Sequence, residues 1–256
     1  MLFVALVACA PRVAALPRTR GATAWEVGVA AAIGDGVVEE RYTLRSEPVK
    51  RDVWALSTVR SEVLVVSPDG AEQRWSSEAR TSADPWPLVL QHAVATVPAL
   101  VRMSRGRPVE LLSSDDWGEA ARAAMRATDL PEDAVATGAN LIDPDGLLLD
   151  LRRAFPGMPD DGRLVADDRI AGVPALREER CSPLDMDGAI RFRCTGTATA
   201  SDGSGRLHDV DTWTEVVADR SGMVWMESAY GGTLRGRGGS TRGALAVAGH
   251  RRVERR

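Results

Sequence analysis

The side chains of this sequence that could do chemistry are few and scattered. Its three cysteines are Cys9, Cys181 and Cys194, and its three histidines are His92, His208 and His250. Neither a His-Glu-x-x-His zinc motif nor a Gly-x-Ser-x-Gly nucleophile turn occurs in the sequence. The stretch RLHDVDTW groups His208, Asp209 and Asp211 as metal ligands might be grouped. On a strand, however, His208 and Asp209 point to opposite faces, and such neighbours do not converge on one ion. The stretch DPDGLLLD, from Asp143, lacks the ligand series and terminal glutamate of a calcium loop. It reads as a helix start, with Asp143 as cap, Pro144 as first helical residue and Asp145 favoured by the dipole. Asp115 and Asp116 could serve a hydrolase only if they shared a cleft that drove their pKa values apart. The expectation is therefore no catalytic residue, no metal site and no cofactor.

The cysteines are more informative. In RCSPLDMDGAIRFRC, Cys181 and Cys194 stand symmetrically about Asp187-Gly188, the dipeptide favoured in two-residue hairpin turns because both positions need positive φ. With that tip, Met186 pairs with Ala189, Pro183 with Phe192 and Cys181 with Cys194. Pro183 and Cys181 both fall at non-hydrogen-bonded sites, where a missing N–H does no harm and Cα atoms approach to about 4.5 Å. A cross-strand Cys181–Cys194 disulfide is predicted, contributing about 2–3 kcal/mol. The alternative is a pair of free core thiols in a reducing compartment.

At the other end, MLFVALVACAPRVAALP carries an apolar run from Leu2 to Ala8 that meets Cys9 in the order Leu6-Val7-Ala8-Cys9. This resembles the lipobox of bacterial lipoproteins, whose cysteine is lipidated and becomes the first mature residue. The resemblance implies a cell-envelope protein held at a membrane through a lipid on Cys9, facing the periplasm or anchored in the outer membrane. No Lys or Arg precedes the run, and the run is shorter than an ordinary signal core. Two other readings stand beside it. One is a cleaved signal ending at Ala22-Thr23-Ala24, and the other is an N-terminal helix packed on the domain. With one cysteine as anchor and two in a bridge, the odd count is accounted for.

Composition describes a globular chain, 44% hydrophobic and 27% charged, with formal net charge −4. Only Lys50 of the 32 basic residues is a lysine. That bias reads as codon composition, and no nucleic-acid partner is expected. Seven arginines follow Thr233, but without stacking aromatics, and they read as a solvated strand and tail.

The elements that must position these residues follow from periodicity. Val27 to Leu44 reads as a hairpin about Gly34-Asp35-Gly36. A second hairpin has an arm over Val53–Ser67, with Trp54, Leu56, Leu64 and Val66 on one face, a turn at Pro68-Asp69-Gly70 and a return arm over Glu72–Thr81. A short helix over Leu88–Thr96 and strands over Ala99–Met103 and Val109–Leu112 come next. Helices follow over Ser114–Ala127, with Ser114 as cap, then over Pro131–Thr137 and Pro144–Ala154. From Arg169 onward strands return over Leu176–Leu184, Ala189–Ala200, Val210–Ala218, Met223–Tyr230 and Ala244–Val253. The expected fold is α+β, a single domain over residues 25–253 after a leader and tether over 1–24. Its large antiparallel sheet of about ten strands should curl into an incomplete barrel, covered on one face by a helical insertion at residues 114–155.

This order of elements resembles the incomplete-barrel lipid carriers of the bacterial envelope, the LolA/LolB and LppX group. The resemblance implies a concave sheet face and covering helices that enclose an apolar cavity for a lipid or other hydrophobic small molecule. Trp54, Trp75, Trp86, Trp213 and Trp225 are the candidates to line it, against the alternative that they are core and girdle residues. Three functions remain in view. A ligand carrier requires an apolar cavity, a structural or partner-binding module a filled core and an exposed patch, and a hydrolase a buried carboxylate pair.

Overall fold

Alternating β-branched and polar residues build twelve strands among the described residues. They are β1 (Thr23–Ile33), β2 (Gly36–Lys50), β3 (Val53–Val66), β4 (Glu72–Ser76), β5 (Ala99–Ser104), β6 (Arg107–Leu112), β7 (Arg163–Ile170), β8 (Val173–Met186), β9 (Ala189–Ser201), β10 (Leu207–Asp219), β11 (Gly222–Leu234) and β12 (Leu245–Arg255). The structure, a computed structural model, describes residues 22–256 apart from 82, 171–172, 187, 202–206, 220–221 and 235–244. Cys9 and the rest of residues 1–21 lie outside the described residues, as does Asp187 at the hairpin tip.

The strands form one antiparallel sheet in the order β6-β5-β3-β2-β1-β12-β11-β10-β9-β8-β7, with β4 also pairing with β3. Among the described residues four α-helices interrupt it: α1 (Trp86–Ala95), α2 (Ser114–Arg126), α3 (Glu132–Thr137) and α4 (Pro144–Ala154). No described helix is long and apolar enough to cross a membrane. The expected curled α+β sheet is therefore present, with twelve strands.

The curl follows from contacts between strands at opposite ends of the sheet. Arg107 on β6 donates to the Val165 carbonyl at 3.2 Å and to Asp167 on β7 at 2.5 Å. Helix α4 packs against both end strands. Its Arg152 donates to the Pro108 and Val109 carbonyls at 2.9 and 3.0 Å, and to Asp167 at 3.3 Å. Arg105 and Asp160 add a further ion pair. β6 and β7 are thus fastened by guanidinium groups and a helix, without a backbone ladder, and the sheet stays open. Covering the carbonyls of an end strand in this way also blunts its capacity to pair with another chain.

Five details of the sequence reading need correction. The return arm β4 stops at Ser76, short of Thr81. A bulge at Val59, between the pairs Thr43↔Arg60 and Leu44↔Thr58, reverses the parity of β3, so Leu64 and Val66 face opposite to Trp54 and Leu56. The cap of α2 is Ser113, in the left-handed region at φ 52°, with Ser114 already helical and no side-chain cap bond. Strand β7 begins at Arg163, six residues before strands were expected to return. Arg251 is 6% exposed, so the C-terminal arginines are not uniformly solvated.

The β8–β9 register agrees at every pair from Met186↔Ala189 to Cys181↔Cys194. The cysteines are bonded, with Cα atoms 4.0 Å apart. Gly188 holds φ +77°, as its turn position demands.

The arrangement of candidate functional groups on the inner face

Rows of paired residues cross the inner face of the sheet. The first runs Tyr42, Val27, Val253, Met226, Val216 and Phe192. With Trp25, Leu44, Leu56 and Val101 it makes the main core, sealed from above by Leu147, Leu151 and Ala154 of α4 and by Phe155. Phe155 meets Trp25 edge-on at a centroid distance of 5.2 Å. The Trp25 indole N–H donates to Ser46 at 2.9 Å, which keeps its one polar atom satisfied at zero exposure. This half of the inner face is filled.

The next row is polar: Glu40, Val29, Arg251, Ser228, Thr214, Cys194 and Cys181. The disulfide therefore points inward. Three guanidinium groups gather at this level, from Arg153 on α4, Arg177 on β8 and Arg251 on β12. Asp168 serves all three: it accepts from Arg153 at 3.2 Å, binds Arg177 closely, and lies 3.6 Å from Arg251. Arg251 also donates to the Arg153 carbonyl at 3.1 Å, which satisfies one of the orphan carbonyls of the last turn of α4. Arg177 donates to Thr214 at 3.0 Å and stands 3.9 Å from the Glu179 carboxylate. Among the described residues, both Glu179 oxygens and the Thr212 hydroxyl lack a hydrogen-bond partner.

Burial governs the ionisation of this layer. Loss of solvent pushes Arg251 down to about 10, with Arg153 adding in the same direction, and pushes Arg177 down to about 10 as well. Burial pushes the Tyr42 phenol up to about 12. The Glu40 carboxyl is raised by burial and by Asp150, with Arg153 and Arg251 opposing.

Beyond this layer the inner face changes character. Val65, Val38, Ala31, Gly249, Tyr230 and Thr212 form the next row. The β1–β3 side carries Val29, Ala31, Val38, Val63 and Val65, all only half-buried. The β7–β12 side has its own cluster of Ile170, Ala175, Ala198, Ala200, Val210 and Val247, with Tyr230 against it and none of the half-buried β1–β3 residues among its members. A Cβ at Gly249 would collide with the Tyr230 ring, so this glycine lets the ring lie against the backbone. Geometry explains why this half stays uncovered. An 11-residue helix is about 16 Å long and spans the gap between β6 and β7. Strands of 13 to 15 residues run for about 43–50 Å, far past it.

The tryptophans do not converge. Trp54 packs against the main core. Trp75 is 5% exposed and meets the His92 ring edge-on at 5.9 Å. Trp86 opens α1 and is exposed, and Trp213 and Trp225, by strand parity with the inward Thr212 and Met226, lie on the outer face. Asp115 and Asp116 are both exposed in the first turn of α2. His92 bonds the Ser61 hydroxyl at 3.0 Å, and burial lowers its pKa. His250 bonds Glu227 at 2.6 Å on the outer face. The side chains of His208 and Asp209 lie outside the described residues. A groove of about 540 Å³ beside β3 and β4 is lined in part by Arg41, Glu62, Arg74 and Trp75.

The charged layer leaves no mark in the hydrophobic alternation of its strands, because its inward positions are polar. A usable signal existed. The Cys181–Cys194 pairing fixes the parity of β8, and that parity puts Arg177 and Glu179 on the same face as the disulfide.

No protein-family model matches the chain, and no curated protein matches its sequence. Among solved structures, the chain is similar to one described as "lipid-protein interactions in lipovitellin", with a TM-score of 0.53 at 7% identity over 93% of this chain. The chain spans 25% of the length of that lipovitellin chain. A DUF1329 family protein from Desulfovibrio piger aligns over 93% of this chain and 85% of its own, at 9% identity and a TM-score of 0.22. The lipovitellin match bears on fold: a large open antiparallel sheet of this kind exists in a solved protein.

Proposed function

We propose that the protein is a non-enzymatic component of the bacterial cell envelope that holds a hydrophobic ligand on the open half of its inner face. The observation that carries this reading is the half-buried apolar wall of Val29, Ala31, Val38, Val63 and Val65, on a concave surface that α4 is too short to cover. An apolar wall in a concavity is where a chain-like ligand gains most from leaving water. The similar lipovitellin structure, described as showing lipid–protein interactions, agrees with it. The envelope location is supported by the Cys181–Cys194 bond, which persists in oxidising compartments, and by the lipobox-like start at Cys9.

The test is native mass spectrometry of the full chain, expressed in an oxidising compartment and purified without detergent. The expected result is an adduct of lipid mass that is lost on denaturation, with a gain of two hydrogens on reduction. A clean mass with the bond intact would instead favour a partner-binding module. Two free thiols would remove the compartment argument.

A further inference from the structure

The outer face of the sheet carries a second concavity, which the apolar cleft does not use. In VVEERYTLR, Glu39 and Arg41 alternate with the inward Val38, Glu40 and Tyr42, so both point outward from β2. The register places Glu39 beside Leu64 of β3 and Arg74 of β4, and Arg41 beside Glu62 and Ser76. Both rows line the groove of about 540 Å³, together with Ala79, Thr81 and Asp84 from the segment after β4. That segment is fastened in place. The Asp84 carboxylate accepts from the Thr81 N–H at 3.0 Å and from its hydroxyl at 2.8 Å. The Ser77 N–H donates to the Ser61 carbonyl at 2.9 Å, and Glu78 pairs with Arg60 at 3.2 Å.

The charged groups of the lining have both signs, Glu39, Glu62 and Asp84 against Arg41 and Arg74. Three of them are engaged. Glu62 binds Arg60, Arg74 binds Glu72 at 2.9 Å, and Asp84 holds Thr81. Glu39 and Arg41 have no ion pair or side-chain hydrogen bond among the described residues, either with each other or with a neighbour. Positions two apart on one face of a strand lie about 7 Å from each other. A free carboxylate and a free guanidinium at that spacing, beside the half-buried Leu64, complement a molecule whose own opposite charges stand two residues apart. An extended dipeptide is such a molecule, since each residue spans at most about 3.6 Å. On the other side of Arg41, the paired position on β1 is Gly28, where an added Cβ would meet nothing within 4 Å. The guanidinium is open to a ligand from there.

We propose that this outer groove binds a dipeptide with free termini, its amino group at Glu39, its carboxylate at Arg41 and an apolar side chain over Leu64. Arg41 would take the carboxylate as a two-bond fork. A single amino acid is too short to reach both groups. The site is independent of the carrier reading, because Glu39, Arg41 and Leu64 lie on the opposite face of the sheet from Val38, Glu40 and Val63.

The experiment is NMR titration of the full chain at low ionic strength with alanyl-leucine, its N-acetyl derivative and its C-terminal amide, and with glycerophosphocholine as a zwitterion of another class. Alanyl-leucine is expected to give saturable shifts confined to β2–β4 and the segment after β4. Each blocked derivative should bind at least roughly threefold more weakly, the loss of one ion pair at a solvent-facing site. Added salt should weaken the free dipeptide most. Two variants separate the two ends. Arg41→Gln is expected to bind the dipeptide and its amide equally while still discriminating against the acetyl derivative, and Glu39→Gln the converse, both with unchanged melting temperatures. No saturable shift at the groove, or equal affinity for all three forms, would overturn the proposal. Glycerophosphocholine binding as tightly as the dipeptide would overturn the assignment to a peptide. Loss of both discriminations in one folded variant would overturn the placement of the two termini.

Discussion

Trp25 and Val27 are sealed in the core, whereas Val29 and Ala31, further along the same face of the same strand, are half exposed. The difference between these two halves of one surface teaches what covers a curled sheet. The filled half has α4, Phe155 and large side chains that reach across from both arms of the sheet. In the open half the β7–β12 side packs as a cluster of its own, Ile170, Ala175, Ala198, Ala200, Val210 and Val247 with Tyr230 against it, and none of the β1–β3 wall residues belongs to that cluster. Between the two halves runs a layer of buried charge, which no apolar tail would enter and which fixes the helix in place.

The largest effect should come from the filled half. Phe155→Ala removes a fully buried ring from the face of Trp25 and is expected to cost about 3–5 kcal/mol in chemical denaturation. The boundary layer comes next. Asp168→Ala leaves three guanidinium groups without their shared acceptor and should destabilise by about 3–5 kcal/mol, with the melting of α4 as its first spectroscopic sign. A loss of under about 1 kcal/mol in either variant would contradict the division into sealed, charged and open regions. Reduction of Cys181–Cys194 should cost about 2–3 kcal/mol, measured as the shift in denaturation midpoint at constant slope.

Glu40→Gln sharpens the boundary through pH. The folded carboxyl is raised above its reference value of 4.5, so between that value and the folded pKa the unfolded chain loses a proton that the folded chain keeps, and stability falls as pH rises. Glutamine has no proton to lose. The variant should therefore be more stable than the parent at neutral pH, with the gain vanishing below pH 4.5, where both states of the parent are protonated. In the open half, Val63→Ala should change stability by less than about 1 kcal/mol, because the side chain is only half-buried.

The legible parts of this fold are those where local rules and tertiary structure agree. Asp187-Gly188 fixed the β8–β9 register and with it the disulfide, and Asp143-Pro144 marked the start of α4, where Asp143 does accept from the Asp145 amide at 3.1 Å. The start of strand β7 is not legible in the sequence because Asp168 occupies an inward position after Leu164 and Ala166, so the apolar alternation is broken where the charged layer begins. The bulge at Val59 has no local signature, since no glycine or proline marks it, and it misassigned the inner face of β3. The candidate site suffered most. Its arginines look like surface residues in one dimension, and only the curl that brings β7, β8, β12 and α4 together makes them a cluster.

The most direct measurement places the ligand in one half or the other. Ala31→Trp fills the cleft between Val38 and Gly249 without touching the core under α4. A fluorescent fatty-acid probe titrated against the full chain and this variant, with melting curves recorded for both, should lose at least tenfold in affinity while the melting temperature stays the same. Unchanged affinity in a folded variant would show that the open half does not hold the ligand, and the account of this surface as a carrier site would be wrong.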